Sequence, residues 1–174
     1  VGLVSQSGGL GQSIVQVVQR GGAFSHFLAA GNSCDVDVTD YINFLVDDPN
    51  CRVIACVAEG LKDGERLLEA GERALKADKP IVMYKIATAA AAAKAAMSHT
   101  GTLAGSNAAY EAAYRRVGII KADNIEDVYE TAAFLAKAGR PKARGVAAMG
   151  ASGGACVITL DKAEAYGVPM PKPQ

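Results

Sequence analysis

Short apolar runs alternate with helical patterns through residues 1–138, and this alternation predicts an α/β domain built on a doubly wound parallel sheet. The runs are continuously apolar, as strands are when helices cover both faces of a parallel sheet. Gly, Pro and β-branched residues mark the strands at regular intervals, which argues against a helical bundle. The sequence therefore predicts a flavodoxin-like sheet with the strand order 2-1-3-4-5.

Each predicted strand is short, mainly apolar and followed by a segment with apolar residues at helical spacing. The predicted strands are VGLVS, SHFLAAG, RVIACVAEG, KPIVMYKI and IIKAD. The predicted helices are QSIVQVVQRGG, VTDYINFLVDDP, DGERLLEAGERALKAD, LAGSNAAYEAAYRRVG and IEDVYETAAFLAKAG. The first helix is expected to end at Gly21-Gly22, and the second to have Thr39 or Asp40 near its cap and Pro49 beyond its end.

The basic, Pro-containing segment AGRPKARG separates residues 1–138 from a second part, residues 139–174. There, GVAAMGASGGACVITLDKAEAYG parallels the beginning of the chain, with Ser152-Gly153-Gly154 in place of Ser7-Gly8-Gly9. Such a repeat predicts a second strand, Ser-Gly-Gly turn and helix. We interpret residues 139–174 as a linker and the first βα unit of a following, related domain. Since the chain starts inside a predicted strand without an initiator Met, we also expect a fragment of a longer polypeptide.

The composition excludes several classes of protein. Eighteen basic residues balance eighteen acidic ones, so no net charge attracts nucleic acid or an anionic membrane. There is no Trp for base stacking, no apolar run of the roughly 20 residues that span a bilayer, and no signal peptide. The four cysteines lack the spacing of a metal site and are expected to be reduced thiols. These observations predict a cytoplasmic protein that binds neither nucleic acid nor membrane and holds no metal.

Every chemically distinctive segment follows a predicted strand. Ser7-Gly8-Gly9 follows the first strand, Gly31-Asn32 the second, Glu59 ends the third, and His99 lies in a Gly-punctuated loop after the fourth. In an open parallel sheet, ligands bind beyond the carboxyl ends of the strands, so these residues are expected to meet at one edge. His26 lies early in the second strand and is expected near the opposite edge, where it packs or meets solvent.

The Ser7-Gly8-Gly9 turn opens a helix, and the N–H groups and partial positive charge of a helix N-terminus favour a phosphate. Ser-Gly-Gly turns at strand–helix junctions also occur as tight turns alone. The sequence is neither a GxxxxGK[ST] P-loop nor a clean GxGxxG fingerprint, so it does not predict independent binding of ATP or NAD.

Glu59 and His99 are candidates for chemistry, and each also has a simpler interpretation. A carboxylate is costly at the end of an apolar strand unless it faces a cleft or has a partner, but it can also be a solvated strand end. A carboxylate near a histidine would fix the tautomer and orientation of the ring, whereas His99 alone could be an ordinary loop residue. The chain lacks both the GxSxG elbow of a Ser-His-Asp hydrolase and further metal ligands near His99.

Several motifs occur together in the order and spacing of a known family. They are VGLVSQSGG, GN after the second strand, VAEG, the Lys of the fourth strand, SHTGTLAGS and AYRRVGII. On these motifs the chain resembles the α subunit of succinyl-CoA synthetase and, more closely, the nucleoside-diphosphate-forming acyl-CoA synthetases of the ADP-forming acetate–CoA ligase type. The resemblance covers nearly the whole chain, and residues 139–174 look like the start of the small domain that follows in fused enzymes.

The resemblance implies a function for each candidate residue. His99 would be transiently phosphorylated, Glu59 would orient it, and Ser7, Gly8 and Gly9 would hold the phosphoryl group. The implied reaction interconverts acid, CoA and ATP with acyl-CoA, ADP and phosphate through an acyl phosphate and the phosphohistidine. CoA and ATP or ADP with Mg²⁺ would be substrates, bound mainly by a Rossmann-type CoA-binding domain and an ATP-grasp domain that are absent from this chain. An oligomer is also implied.

The sequence departs from the family pattern at Ala89–Ala93, where relatives usually carry Gly and polar or charged residues. The competing hypothesis is a non-catalytic flavodoxin-like module that binds a phosphate ligand or docks a partner. A flavin-binding flavodoxin is a third hypothesis, but its first loop should be rich in Ser and Thr, and its other loops should offer aromatic residues. The acid substrate and the choice between ADP and GDP stay open.

Overall fold

The computed structural model describes residues 1–100, 106–141 and 144–171, with side chains for all of these except residues 97–100. The chain divides into two compact units, Val1–Gly139 and Arg140–Gln174. The strands of the first unit are β1 (Gly2–Ser5), β2 (His26–Ala29), β3 (Ile54–Ala58), β4 (Ile81–Lys85) and β5 (Ile120–Lys121). Its helices are α1 (Gly8–Val15), which continues as a 3-10 helix (Gln16–Arg20), α2 (Val38–Asp47), α3 (Gly64–Lys76), α4 (Ala90–Thr100), α5 (Asn107–Val117) and α6 (Ile125–Ala138).

The five strands form one parallel sheet in the order β2-β1-β3-β4-β5. This arrangement confirms the flavodoxin-like fold and the strand order predicted from the sequence. The register aligns the carboxyl ends of the central strands, because Ser5 lies opposite both Ala29 and Val57, and Ala58 lies opposite Lys85. The residues that follow β1, β2, β3 and β4 therefore emerge at the same edge of the sheet.

Helices cover both faces of the sheet, and β3 is buried along its whole length. Because successive strand residues point to opposite faces, Ile54, Cys56 and Ala58 pack with α2, α3 and α5, whereas Ala55 and Val57 pack with α1 and α6. The chain needs a continuous apolar run to fill both layers, and this requirement explains why the strands show no alternation with polar residues.

The start of α2 differs from the sequence prediction, which placed the cap at Thr39 or Asp40. Asp37 caps the helix, with its Oδ1 accepting hydrogen bonds from the N–H groups of Thr39 (2.7 Å) and Asp40 (3.0 Å). The Asp40 carboxylate in turn accepts the N–H of Asp37 at 2.9 Å, which completes a capping box. Arg66 of α3 forms ion pairs with both carboxylates and joins the two helices at this end.

The segment that contains His99 also differs from the prediction of a loop. Its backbone lies in α4, which runs to Thr100. The physical reason is local, since Ala has the highest helix propensity and Ala89–Ala93 and its neighbours supply a nearly continuous run of it. A helix therefore follows β4 more closely than the sequence prediction allowed.

The second unit contains α7 (Gly153–Ala165), which begins after Ser152 as predicted. The strand expected before it is not formed, because residues 145–150 have no regular secondary structure. A strand is stable only when it pairs with a neighbour, and the described residues of this unit include no other strand. In the part of the chain that the structure describes, no helix is long and apolar enough to cross a membrane.

Candidate functional site at the carboxyl edge of the sheet

The turn after β1 presents the start of α1 to this edge. Ser7 is the N-cap, and its Oγ accepts the N–H of Leu10 over a long contact of 3.4 Å. The buried Ser5 donates its hydroxyl to the carbonyl of Ser7 at 2.5 Å and so fixes the turn. Gly8 and Gly9 are exposed, and a Cβ on either would meet open space. A ligand can therefore approach the first N–H groups of the helix, which have no partner within the helix.

Glu59 follows β3 and is almost completely buried, with 9% of its surface exposed. The backbone around it is held by a side chain from the neighbouring strand. Gln6 Oε1 accepts the N–H of Glu59 at 2.8 Å and the N–H of Gly60 at 3.1 Å. The structure thus places Glu59 at the predicted edge, next to the residues that connect β1 to α1.

Lys85 ends β4 and brings a positive charge to the same edge, although only 6% of its surface is exposed. Its Nζ donates a hydrogen bond to the carbonyl of Ile86 at 2.5 Å and lies 5.2 Å from the centre of the Tyr110 ring. Burial lowers the pKa of Lys85, and the negative charge of Glu59 acts against this shift. Glu59 and Lys85 are therefore electrostatically coupled.

Tyr110 of α5 connects Lys85 to the turn after β3. Its hydroxyl accepts the N–H of Leu61 at 3.0 Å. Burial raises the pKa of Tyr110, and the hydrogen bond from Leu61 acts in the opposite direction. The phenol is therefore neutral at physiological pH, and it fixes the turn that begins at Glu59 from the side of β4.

A cavity of about 330 Å³ lies beside Lys85 and Tyr110. Its other walls include Asn107, Tyr114 and Lys121. The charge of Lys121 is balanced by Glu111 at 3.1 Å and Asp123 at 3.6 Å. The volume suits a small ligand, and the aromatic walls and the buried ammonium of Lys85 offer both apolar and electrostatic contacts.

The side chain of His99 lies outside the described residues, as do residues 101–105. The juxtaposition of His99 and Glu59 therefore stays a prediction. His26 is the first residue of β2, at the amino edge of the sheet as expected. It packs edge-to-face with Phe44, and its Nδ1 lies 3.1 Å from a carboxylate oxygen of Asp48. Across the described residues, His, Cys and carboxylate side chains form no group of three that could hold a metal.

Three residues of this edge were missed as site residues at the sequence level. Gln6 lies inside the SQSGG segment, where the glycines drew attention instead. Lys85 carried the same signal that pointed to Glu59, namely a charge at the end of an apolar strand. Tyr110 gave no signal, because an aromatic residue in an amphipathic helix usually belongs to the core.

The sheet order, the helices on both faces and the polar carboxyl edge define a flavodoxin-like α/β domain. Residues 1–135 match the family described as a succinyl-CoA ligase like flavodoxin domain, and the chain belongs to this family.

Relatives in this family are longer than the present chain. The α subunit of an ADP-forming acetate–CoA ligase II from Pyrococcus furiosus is 36% identical over 171 residues, which cover 98% of this chain and 37% of the relative. An ADP-forming acetate–CoA ligase I from Archaeoglobus fulgidus is 34% identical over 98% of this chain and 24% of its own length. The solved structure of acetyl-coenzyme A synthetase 1 from Ca. Korarchaeum cryptofilum, in complex with phosphate and ADP, is 31% identical. It has a TM-score of 0.88 and matches 99% of this chain and 38% of its own.

Proposed function

We propose that this chain is the phosphohistidine-carrying part of an ADP-forming acyl-CoA synthetase. The observation that carries the proposal is the carboxyl edge of the sheet. There Glu59, whose N–H donates a hydrogen bond to the Gln6 side chain, lies near the accessible N-terminus of α1. The names of the relatives support the same reaction class. Because the chain spans 37% of the first of these relatives, the proposed partners are a CoA-binding Rossmann-type domain and an ATP-grasp domain, in the same polypeptide or another subunit.

In the proposed reaction, His99 is the nucleophile and the carrier of the phosphoryl group. A ring nitrogen attacks the phosphorus of an acyl phosphate, forming an N–P bond as the bond to the acyl oxygen breaks and the carboxylate leaves. In the preceding step, phosphate attacks the acyl-CoA thioester, which gives the acyl phosphate and releases free CoA. The phosphoryl group then passes from His99 to ADP and forms ATP. In the opposite direction, ATP phosphorylates His99, the acid takes the phosphoryl group, and CoA captures the acyl group and releases phosphate.

The residues of the edge are proposed to support this transfer electrostatically. The Glu59 carboxylate would accept the N–H of the other ring nitrogen, which leaves the attacking nitrogen unprotonated and orients the ring. Gly8 and Gly9 would donate their N–H groups to the phosphoryl oxygens, and the α1 dipole would stabilise the negative charge. Mg²⁺ would enter with the nucleotide as part of the substrate.

The substitution His99→Asn tests the carrier. In the full-length protein that contains this chain, we expect it to abolish labelling by γ-labelled ATP with Mg²⁺, because an amide cannot form the phosphoramidate. The free energy of unfolding should change by less than about 1 kcal/mol. Glu59→Gln should slow labelling about ten- to a thousandfold through lost orientation and charge. His26→Asn is the matched control and should label normally, since His26 lies at the amino edge of the sheet.

Acid treatment identifies the labelled side chain, because phosphohistidine is acid-labile and phosphoserine is not. Acid-stable label, or undiminished label in His99→Asn, would remove His99 from the mechanism. The non-catalytic module that binds phosphate or docks a partner would then be the better description of this chain.

A further inference from the structure

Gln6 is a buried polar side chain that the proposed reaction does not use, with only 3% of its surface exposed. It lies directly after β1, and its Oε1 accepts two consecutive backbone N–H groups, those of Glu59 and Gly60. These are the first two residues after β3. A single acceptor shared by consecutive N–H groups restricts the direction in which the chain leaves the strand.

The backbone of Gln6 adds a third hydrogen bond to the same segment. Its N–H donates to the carbonyl of Val57 at 2.9 Å, which continues the parallel pairing of β1 with β3. On the other side of β3, Ala58 is paired with Lys85. Glu59 is thus the first residue beyond the regular sheet, and the Gln6 side chain extends the constraint of the sheet to it.

The other half of the Gln6 amide indicates that packing is not its main contribution. Since Oε1 faces the two N–H groups, Nε2, which lies in the same amide plane, points away from them. Nε2 is buried and makes no hydrogen bond with the atoms that the structure describes. A Met side chain would fill a similar volume without burying an unpaired donor. The contribution of the amide at this position therefore comes from the two hydrogen bonds that Oε1 accepts.

We propose that Gln6 is a positioning residue for Glu59, an inference that rests on the proposed function. By holding the N–H of Glu59, the amide fixes the origin of the carboxylate side chain relative to the turn that begins α1. Displacement of a catalytic group by about 1 Å can reduce a rate about a hundredfold. Loss of the Gln6 clamp should therefore slow phosphoryl transfer without changing the residues that touch the substrate.

A double-mutant cycle tests whether Gln6 acts through Glu59. In the full-length protein, Gln6→Met should slow single-turnover labelling about 10- to 100-fold at saturating ATP, with the KM for ATP within about twofold. In the Glu59→Gln background the same change should cost less than about threefold, because the carboxylate that it positions is already absent. An equal factor in both backgrounds would show a general structural effect and overturn the proposal.

Two further variants keep the result interpretable. Thr39→Val is the matched control, since Thr39 belongs to α2 and is also buried, with an Oγ1 that has no hydrogen-bond partner among the described residues. It should leave the labelling rate unchanged. Gln6→Asn replaces Gln6→Met in the cycle if the Met variant does not fold, since it keeps the amide but withdraws Oε1 from the Glu59 turn. If His99→Asn keeps its label, the proposed function fails; if it loses its label but the cycle is additive, only the role of Gln6 fails.

Discussion

Burial changes the proton affinity of core side chains that include Cys56 of β3 and Tyr114 of α5. Burial raises the pKa of the Cys56 thiol above its ordinary value of 9.0 and the pKa of the Tyr114 phenol above 10.0. For an acid whose pKa is raised in the folded state, stability is fully present below the unfolded value and is lost as pH rises above it. We therefore expect the free energy of unfolding to fall by about 1.4 kcal/mol per pH unit for each group, above about pH 9 for Cys56 and above about pH 10 for Tyr114.

Urea unfolding between pH 8 and pH 10.5 under reducing conditions measures this loss. Cys56→Ala should be less stable at pH 8 but should lose about 1.4 kcal/mol less per pH unit above pH 9. Cys34→Ala is the control and should keep the parent slope, because Cys34 is exposed. Lys85 has the opposite sign, since its pKa is lowered and its burial penalty disappears as it deprotonates. The Lys85 contribution is the same in the parent protein and in Cys56→Ala. If the unfolding free energy changed with pH at the same slope in both proteins, the result would contradict the assignment of the loss to Cys56.

At the scale of a single element, the N-terminus of α1 offers a direct test for anion binding. Phosphate titration followed by NMR should shift the amides of Gly8 and Gly9 first, because they begin a helix whose N-terminal end is open. Gly9→Asp should abolish these shifts, since its carboxylate would compete with phosphate for the same N–H groups. A Cβ at this position meets open space, so the variant should fold.

The second Ser-Gly-Gly turn supplies the control for this titration. Gly153 starts α7, and a Cβ there also meets open space, but the described residues directly before it, 144–152, form no strand. Its amide should shift less than that of Gly8, and Gly153→Asp should leave the shifts at Gly8 unchanged. Larger shifts at Gly153 or elsewhere would show that the first turn is structural only.

The elements also show where local sequence signals were sufficient. Alternating apolar and helical segments predicted every strand of the sheet, because period and turn chemistry are local properties. The sequence prediction placed the cap of α2 too late. Asp37 can be identified as the cap only from its reciprocal hydrogen bonds with Asp40 and its ion pair with Arg66 of another helix. The prediction of a strand before α7 was wrong for a related reason. A segment with a strand-like sequence forms a strand only when a neighbouring strand pairs with it, and the local sequence does not show whether such a neighbour is present.

For the whole molecule, the distribution of buried hydrophobic side chains indicates which part folds by itself. Apart from Ala163, every buried hydrophobic side chain belongs to residues 1–139 in the part of the chain that the structure describes. We expect a protein of residues 1–139 to unfold in one cooperative urea transition, with coincident curves from circular dichroism and tyrosine fluorescence. A peptide of residues 140–174 should show none, because so short a chain buries too little surface. Separate transitions in the first protein would contradict this expectation.

By itself, the sequence determined the α/β class, the strand order and the edge at which Ser7, Gly8, Gly9 and Glu59 lie, because hydrophobic period and turn residues specify them locally. Only the tertiary structure decided how Glu59 is held and what surrounds it. Gln6 and Glu59 are 53 positions apart, and Tyr110 and Leu61 are 49 apart. No local pattern encodes such contacts. They depend on the register of neighbouring strands and on how α5 packs against the sheet, which form only when the whole core assembles.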